Sequence, residues 1–434
     1  MQPWIDSAAR RRPDHPALIA GGETLTWSQV SDRAAVVSAA LAADGVGVGD
    51  RVAIALPPGA AFVAALHGCL RLGAVAVPVD LRLGEDERAA VTAGVRSFFA
   101  TPELGVAKKD LTPSRRPTPD DPALVLHTSG TTGAPRPVVL TYGNWMAHAW
   151  ASAAALGHPA DERWLCCLPL SHVGGLGILV RAAVHATTVV LHERFDPELV
   201  ATALHEGVTG VSLVPTMLKR VLDAGPKRPA LLRCALIGGG PVPPEQLERA
   251  GAAGIPVAQT YGLTEACSQV TAEAPGEASG TAGRALPGTE VALADAGEIL
   301  VGGPTVAPAS RDADGFLHTG DLGVLDRRGR LTVVGRRSET IVTGGENVAP
   351  AEVEAALEAH PAVAEAAVFG RPDPEWGERV VAAVVLHSGA EATPDDLRAH
   401  AAARLAGFKV PKDIERRTRL PRTASGKLRR AELR

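Results

Sequence analysis

Over its first hundred residues the chain switches repeatedly between two hydrophobic periods. Trp27 to Leu41 has helical spacing, Arg51 to Leu56 is an apolar run of strand length, Ala60 to Leu72 is helical again, and Gly73-Ala-Val-Ala-Val-Pro-Val-Asp-Leu81 reads as a buried strand. Short buried strands separated by helices imply βαβ units and a largely parallel sheet. A polar, Pro-rich stretch from Thr101 to Asp121 interrupts the pattern as an exposed connection and delivers a strand at Ala123 to His127. The alternation resumes through Trp164 to Leu170, Thr187 to Leu191, Val208 to Val214 and Cys234 to Ile237. From Gly283 the texture changes to short strands punctuated by Gly, Pro and Asp, which suggests a small β-barrel-like lobe. Gly335 to Glu339, a glycine followed by polar residues, reads as a hinge. The tail has helices such as Ala351 to His360 and strands such as Ala364 to Phe369 and Val380 to Leu386, the content of a small α+β domain. The expected fold class is therefore α/β. A large N-terminal domain over 1–335, with βαβ sub-lobes and the β-rich lobe, is followed by a small mobile domain over 336–434.

Length and charge narrow the partners. At 434 residues, with 46% hydrophobic and 21% charged residues and a net charge of −4, the chain is large enough for an enzyme of more than one domain. It offers no electrostatic case for nucleic acid or anionic membrane. The N-terminal run has basic residues without an apolar segment after them, and later apolar runs end well short of spanning length, so a cytoplasmic protein with small-molecule partners is expected. Five cysteines show neither a CxxC pair nor zinc-ligand spacing, and Cys267 is read as a packing residue.

One loop concentrates chemistry: Gln259-Thr-Tyr-Gly-Leu-Thr-Glu-Ala-Cys-Ser-Gln269. It holds an aromatic face that can stack a purine, a glycine that lets backbone approach a phosphate, a hydroxyl to bond that phosphate, and a carboxylate to hold the Mg²⁺ that travels with ATP. A second segment, Thr128-Ser129-Gly130-Thr131-Thr132-Gly133, follows a strand, so its hydroxyls and backbone N–H groups could wrap a polyphosphate. Arg136 lies just beyond and supplies the cation such a site needs. This is not a Walker A loop, because GxxxxGK[ST] is absent.

Together with Thr319-Gly-Asp321, Gly335-Arg-Arg-Ser-Glu339 and Pro421-Arg-Thr-Ala-Ser-Gly-Lys-Leu-Arg-Arg430, these segments in this order resemble the adenylate-forming superfamily of acyl-CoA synthetases, adenylation domains and luciferases. The resemblance covers essentially the whole chain. It implies ATP, Mg²⁺ and coenzyme A as co-substrates. It puts Tyr261 against adenine with Gly238, Gly239 and Gly240 as the other wall, Thr264 on the α-phosphate and Glu265 on the metal. Asp321 and Arg336 would bond the ribose, Lys427 would be the mobile catalytic cation, and Ser338 the hinge. Gly344 and Gly345 would line the CoA tunnel after rotation of the small domain. Two departures stand out: the family usually has Lys-Gly where this chain has Arg136-Pro137, and Asp where it has Ser338.

Leu168-Pro-Leu-Ser-His-Val-Gly-Gly-Leu-Gly-Ile-Leu-Val-Arg181 resembles the family's substrate segment, with His172 near the incoming carboxylate or the tunnel mouth. Cys267-Ser268-Gln269, Arg181 and the compact length look like the o-succinylbenzoate-CoA ligases of menaquinone biosynthesis. That substrate carries a spectator carboxylate besides the activated one, and a buried spectator anion needs a cation. Arg181 is the expected cation, with Ser268 and Gln269 in the substrate site. Other readings are a medium-chain or aryl-acid CoA ligase, a module that loads a carrier protein, and a nucleotide-binding pseudoenzyme. Retention of Glu265 and Lys427 argues against the last.

Overall fold

The computed structural model describes residues 1–100, 115–129, 135–422 and 428–433. The chain divides into two compact units, Met1–Val291 with Leu300–Leu317, and Ala292–Ile299 with His318–Arg434.

The first unit holds two sheets. In the nine-stranded one, Pro16–Ala20, Thr188–Leu191, Arg163–Cys166, Gly210–Leu213, Cys234–Ile237 and Val257–Leu263 run parallel in that spatial order. Antiparallel strands close both ends of it. In the five-stranded sheet Ser97–Phe99, Arg51–Ile54, Val75–Pro78 and Pro122–Ser129 are parallel, and Pro135–Thr141 adds an antiparallel edge. The alternation expected from sequence is thus realised twice. Helices Trp27–Ala43, Ala60–Leu72, Tyr142–Leu156 and Val173–His185 supply Val37, Leu66, Trp145 and Leu179 to one large core. A second core, with Leu165, Leu213, Leu218 and Ile237, lies on the opposite face of the larger sheet, since neighbouring residues of one strand point to opposite faces.

The second unit contains the antiparallel pair Leu317–Leu325 and Leu331–Arg336, two members of a four-stranded sheet. It also contains a five-stranded sheet built on the long hairpin Val363–Asp373 and Gly377–Leu386. Period-two alternation divides that hairpin's side chains. Ala366, Val368, Ala382 and Val384 face helices Pro350–Glu358 and Pro394–Ala402 through Val353, Leu357 and Leu397. Ala367, Phe369, Val381 and Ala383 face Leu420 and Leu433. Among the described residues, no helix is long and apolar enough to cross a membrane. All five cysteines are free and buried, Cys267 included.

Candidate active site

The Gln259–Gln269 run folds as a tight turn at the end of a parallel strand. Val257–Leu263 passes the end of Cys234–Ile237 and turns back onto Ser268–Ala272, with Leu263 opposite Ser268 and Gly262 opposite Gln269. Thr264–Ala266 makes one 3₁₀ turn between them, and Cys267 and Ser268 adopt left-handed φ values of 53° and 87°. Such a sharp return leaves no room at position 262: a Cβ there would lie 1.6 Å from the Ser268 carbonyl oxygen. The Ala307 N–H donates to the Glu265 carbonyl at 2.8 Å and fixes the turn from outside. The Glu265 carboxylate itself engages no other group among the described residues, which suits a ligand for a hard cation carried in on phosphate.

Gly238 to Gly240 follow the neighbouring strand Cys234–Ile237. A Cβ on Gly238 would come within 3.0 Å of Thr260 Cγ2, so this backbone runs close beside the strand that carries Tyr261. A buried carboxylate that sequence reasoning missed ties the two together. Glu273, 1% exposed, accepts hydrogen bonds from the Gln259 backbone N–H at 3.1 Å and from the backbone and hydroxyl of Ser279 at 2.7 and 2.5 Å. The Gln259 amide donates to Glu273 at 3.3 Å and accepts from the Val242 N–H at 3.2 Å. Four donors satisfy a charge that burial would otherwise penalise. Gln269 is also buried, at 4% exposure, but its Nε2 finds no acceptor among the described residues. A ligand oxygen would complete it. Ser268 flanks it in the left-handed turn.

Of the phosphate segment, Thr128 lies one residue before the end of its strand and stands directly opposite Arg136 in the antiparallel hairpin Pro122–Ser129 and Pro135–Thr141. Arg136 is exposed. Gly130, Thr131, Thr132 and Gly133 lie outside the described residues, and only the backbone of Ser129 is described.

His172 occupies the N-cap of helix Val173–His185 with its side chain partly exposed. Its Nε2 lies 4.0 Å from Asp80 Oδ2, and the Ser171 hydroxyl donates to the same oxygen at 3.3 Å. Burial pushes the Asp80 carboxyl up, but the Arg82 guanidinium and backbone N–H outweigh it and bring it down to about 2, so the carboxylate stays charged. An acidic residue just past the carboxyl end of a parallel strand was the sequence signal for Asp80, because open α/β sheets bind ligands there.

Arg181 requires a correction. The expected cation for a spectator carboxylate is 4% exposed and already committed. Its Nη2 pairs with Glu162 Oε2 at 3.3 Å, Nη1 donates to the Ser152 hydroxyl at 3.2 Å, and the guanidinium stacks over Trp164, 3.8 Å from the ring centroid. Glu162, 1% exposed, pairs with Arg233 through its other oxygen at 2.7 Å. Arg181 is a core residue that joins its helix to the nine-stranded sheet.

The remaining candidates lie in the second unit. Thr319 Oγ1 donates to the Ile299 carbonyl and accepts the Asp321 N–H, which builds the turn carrying Asp321. Asp321, directly opposite Arg336 in the strand pair, accepts from its Nε at 2.6 Å. Ser338 sits in the 3₁₀ turn Arg337–Glu339. Gly344 and Gly345, with φ of 59° and 83°, form the tip of the hairpin Ile341–Thr343 and Glu346–Val348. Lys427 lies outside the described residues.

The sequence matches the AMP-binding enzyme family over residues 5–102 and 98–309, and the AMP-binding enzyme C-terminal domain over 352–427. It is 38% identical to a 2-succinylbenzoate–CoA ligase of Bacillus licheniformis, over 99% of this chain and 98% of the relative. Identity to the Bacillus subtilis 2-succinylbenzoate–CoA ligase is 37%, over 99% and 97%. Among solved structures, the fold matches o-succinylbenzoate CoA synthetase of Bacillus subtilis in complex with its acyl-adenylate intermediate at a TM-score of 0.93, with 36% identity and coverage of 100% and 98%. The same enzyme with ATP and a magnesium ion matches at 0.92, with coverage of 100% and 99%. The chain belongs to the AMP-binding enzyme family.

Proposed function

We propose that the chain is an ATP-dependent o-succinylbenzoate–CoA ligase. It joins the acid to the ATP α-phosphate with release of pyrophosphate, then passes the acyl group to the CoA thiol with release of AMP. Full-length identity to ligases of this specificity carries the reading. A carboxylate cannot acylate a thiol directly because oxide is a poor leaving group, and AMP is a far better one. Adenylation gathers anionic groups, so cations and preorganised donors lower the barrier most. Thr264 meets the α-phosphate, Arg136 and Lys427 offset its charge, and Glu265 holds the Mg²⁺, which neutralises phosphate oxygens when bound. Tyr261 and Gly238 to Gly240 enclose the adenine, while Asp321 and Arg336 take the ribose. His172 attends the incoming carboxylate. The unpartnered amide of buried Gln269 supports a place for it against the acid, with Ser268 beside it.

The small domain, residues 336–434 in this reading, turns about Ser338 between the two steps. Lys427 then leaves, and Gly344 and Gly345 line the path of the pantetheine arm. A cytoplasmic location belongs to the same proposal. The test is pyrophosphate release over a panel of acids, with and without CoA: o-succinylbenzoate, a medium-chain acid, benzoate and an analogue lacking the aromatic carboxylate. Thioester formation from o-succinylbenzoate above all others is the expected result. Equal use of the monocarboxylic acids removes the substrate assignment, and release without any thioester removes the ligase.

A further inference from the structure

Arg430 grips two carboxylates at once. Its Nη1 donates to Glu339 Oε2 at 2.6 Å, and its Nη2 reaches both oxygens of Glu354 at 2.8 Å. Glu354 Oε1 also accepts the Val368 N–H at 2.7 Å, which fastens the group to the central hairpin. The side chains are only 17%, 29% and 13% exposed for Arg430, Glu339 and Glu354. Ion pairs in open solvent contribute little, but a forked, half-buried guanidinium fixes geometry as well as energy.

Its position in the chain gives this clamp a meaning beyond stability. Glu339 directly follows Ser338, and Lys427 lies three positions before Arg430. The residues on either side of 423–427 are anchored in the core of the second unit. Arg422 and Leu428 form an antiparallel bridge, and the Arg429 N–H donates to the Pro421 carbonyl at 2.9 Å. Arg422 pairs with Glu365 at 2.7 Å, and Leu428 packs against the cluster of Phe369, Leu420 and Leu433. One guanidinium therefore links the chain just after the catalytic lysine to the first residue beyond the hinge.

We infer that Arg430 is a positioning residue for adenylation: by holding Glu339 and Glu354 together, it makes the backbone setting at Ser338 determine where Lys427 is delivered. The inference rests on the proposed roles of Lys427 and Ser338. A hinge places a distant side chain accurately only if everything beyond it moves as one body, and this contact removes slack at the point where that body begins. Misplacement of a catalytic group by about 1 Å costs on the order of 10²-fold in rate. The thioester step does not use Lys427 and so does not need that accuracy.

The two half-reactions separate the outcomes. Pyrophosphate release from ATP and o-succinylbenzoate reads the first, and thioester formation from supplied acyl-adenylate plus CoA reads the second. Arg430→Met should slow the first by roughly 10- to 100-fold and leave the second within about threefold. Arg430→Lys should recover part of the loss. Glu339→Gln, which leaves the Glu354 pair intact, should give a smaller loss of the same kind and guards against a folding defect in the first variant. Equal loss in both half-reactions, or full adenylation by Arg430→Met and Glu339→Gln, overturns the inference. Lys427→Ala measured beside them distinguishes the levels. If it keeps adenylation, the parent reading has failed. If it loses adenylation while the Arg430 variants do not, only the clamp has.

Discussion

Arg181 and Glu162 form an ion pair with side chains 5% and 1% exposed, and Trp164 closes one face of the guanidinium. Burial pushes the Arg181 guanidinium down and Glu162 opposes that shift. Removing Arg181 leaves Glu162 paired with Arg233 alone and its other oxygen unsatisfied in a dry site. Arg181→Met should therefore cost about 1–3 kcal/mol of stability, read from urea unfolding. The preference for o-succinylbenzoate over an analogue lacking its aromatic carboxylate should survive in whatever folds. A stable variant that loses only that preference would return Arg181 to the substrate site.

Arg136 presents the opposite case. It is exposed on an edge strand, opposite Thr128, and has no fold to support. Arg136→Ala should leave the unfolding midpoint unchanged and raise the KM for ATP roughly tenfold, the effect of one charge-assisted contact of about 1.4 kcal/mol. Arg136→Lys should restore much of it, because a point charge also meets a phosphate. Unchanged ATP kinetics in the alanine variant would reduce Arg136 to a surface charge.

These two arginines show where the sequence was legible. Helix Ala60–Leu72 and strand Cys234–Ile237 fall where their apolar runs predict, because each run stops at glycine, Gly73 or Gly238. Strand Pro135–Thr141 was not readable: its prolines oppose strand formation, and only its place at a sheet edge makes them tolerable. The motif residues Tyr261 to Gln269 were recognisable as a group because they share one turn. Arg181 was not, because helix Val173–His185 is buried on nearly all sides from Gly175 onward and its periodicity names no solvent face. Its partner Glu162 comes from a separate connection before strand Arg163–Cys166. Asp80 was missed for the same reason, since Ser171 and His172 are distant from it in sequence. Glu273 was missed although Gln259 and Ser279 are near it in the chain, because only the fold turns its carboxylate inward onto them.

Gln269 allows a test in which stability and binding move in opposite directions. Its buried Nε2 has no acceptor among the described residues, so it already bears a desolvation cost. Gln269→Leu should leave stability unchanged or raise it by about 1 kcal/mol. If the amide serves the acid, the KM for o-succinylbenzoate should rise roughly tenfold while that for ATP holds. A destabilised variant with an unchanged KM would make Gln269 a packing residue.

Burial lowers several histidines of the first unit, His127, His172, His185 and His192 among them, and two that are almost fully buried should contribute most to its acid sensitivity. His67, 2% exposed on helix Ala60–Leu72, is pushed down by burial to about 4. His148, 3% exposed with Nδ1 unpartnered among the described residues, is brought to about 3 by burial and then by the charge of Arg181. Both are neutral in the folded chain at every pH above those values, whereas the unfolded chain protonates them below about 6.5. Their contribution is therefore fully present above pH 6.5 and drains away as pH falls towards 4, at up to about 1.4 kcal/mol per pH unit for each. Between pH 7 and pH 5 the pair should remove roughly 4 kcal/mol, a window in which few ordinary carboxyls titrate. Urea midpoints measured across that range should fall for the wild type and fall much less for His67→Leu combined with His148→Leu. If the double variant keeps the wild-type slope, the acid sensitivity belongs to other groups and these two histidines are protonated in the folded core.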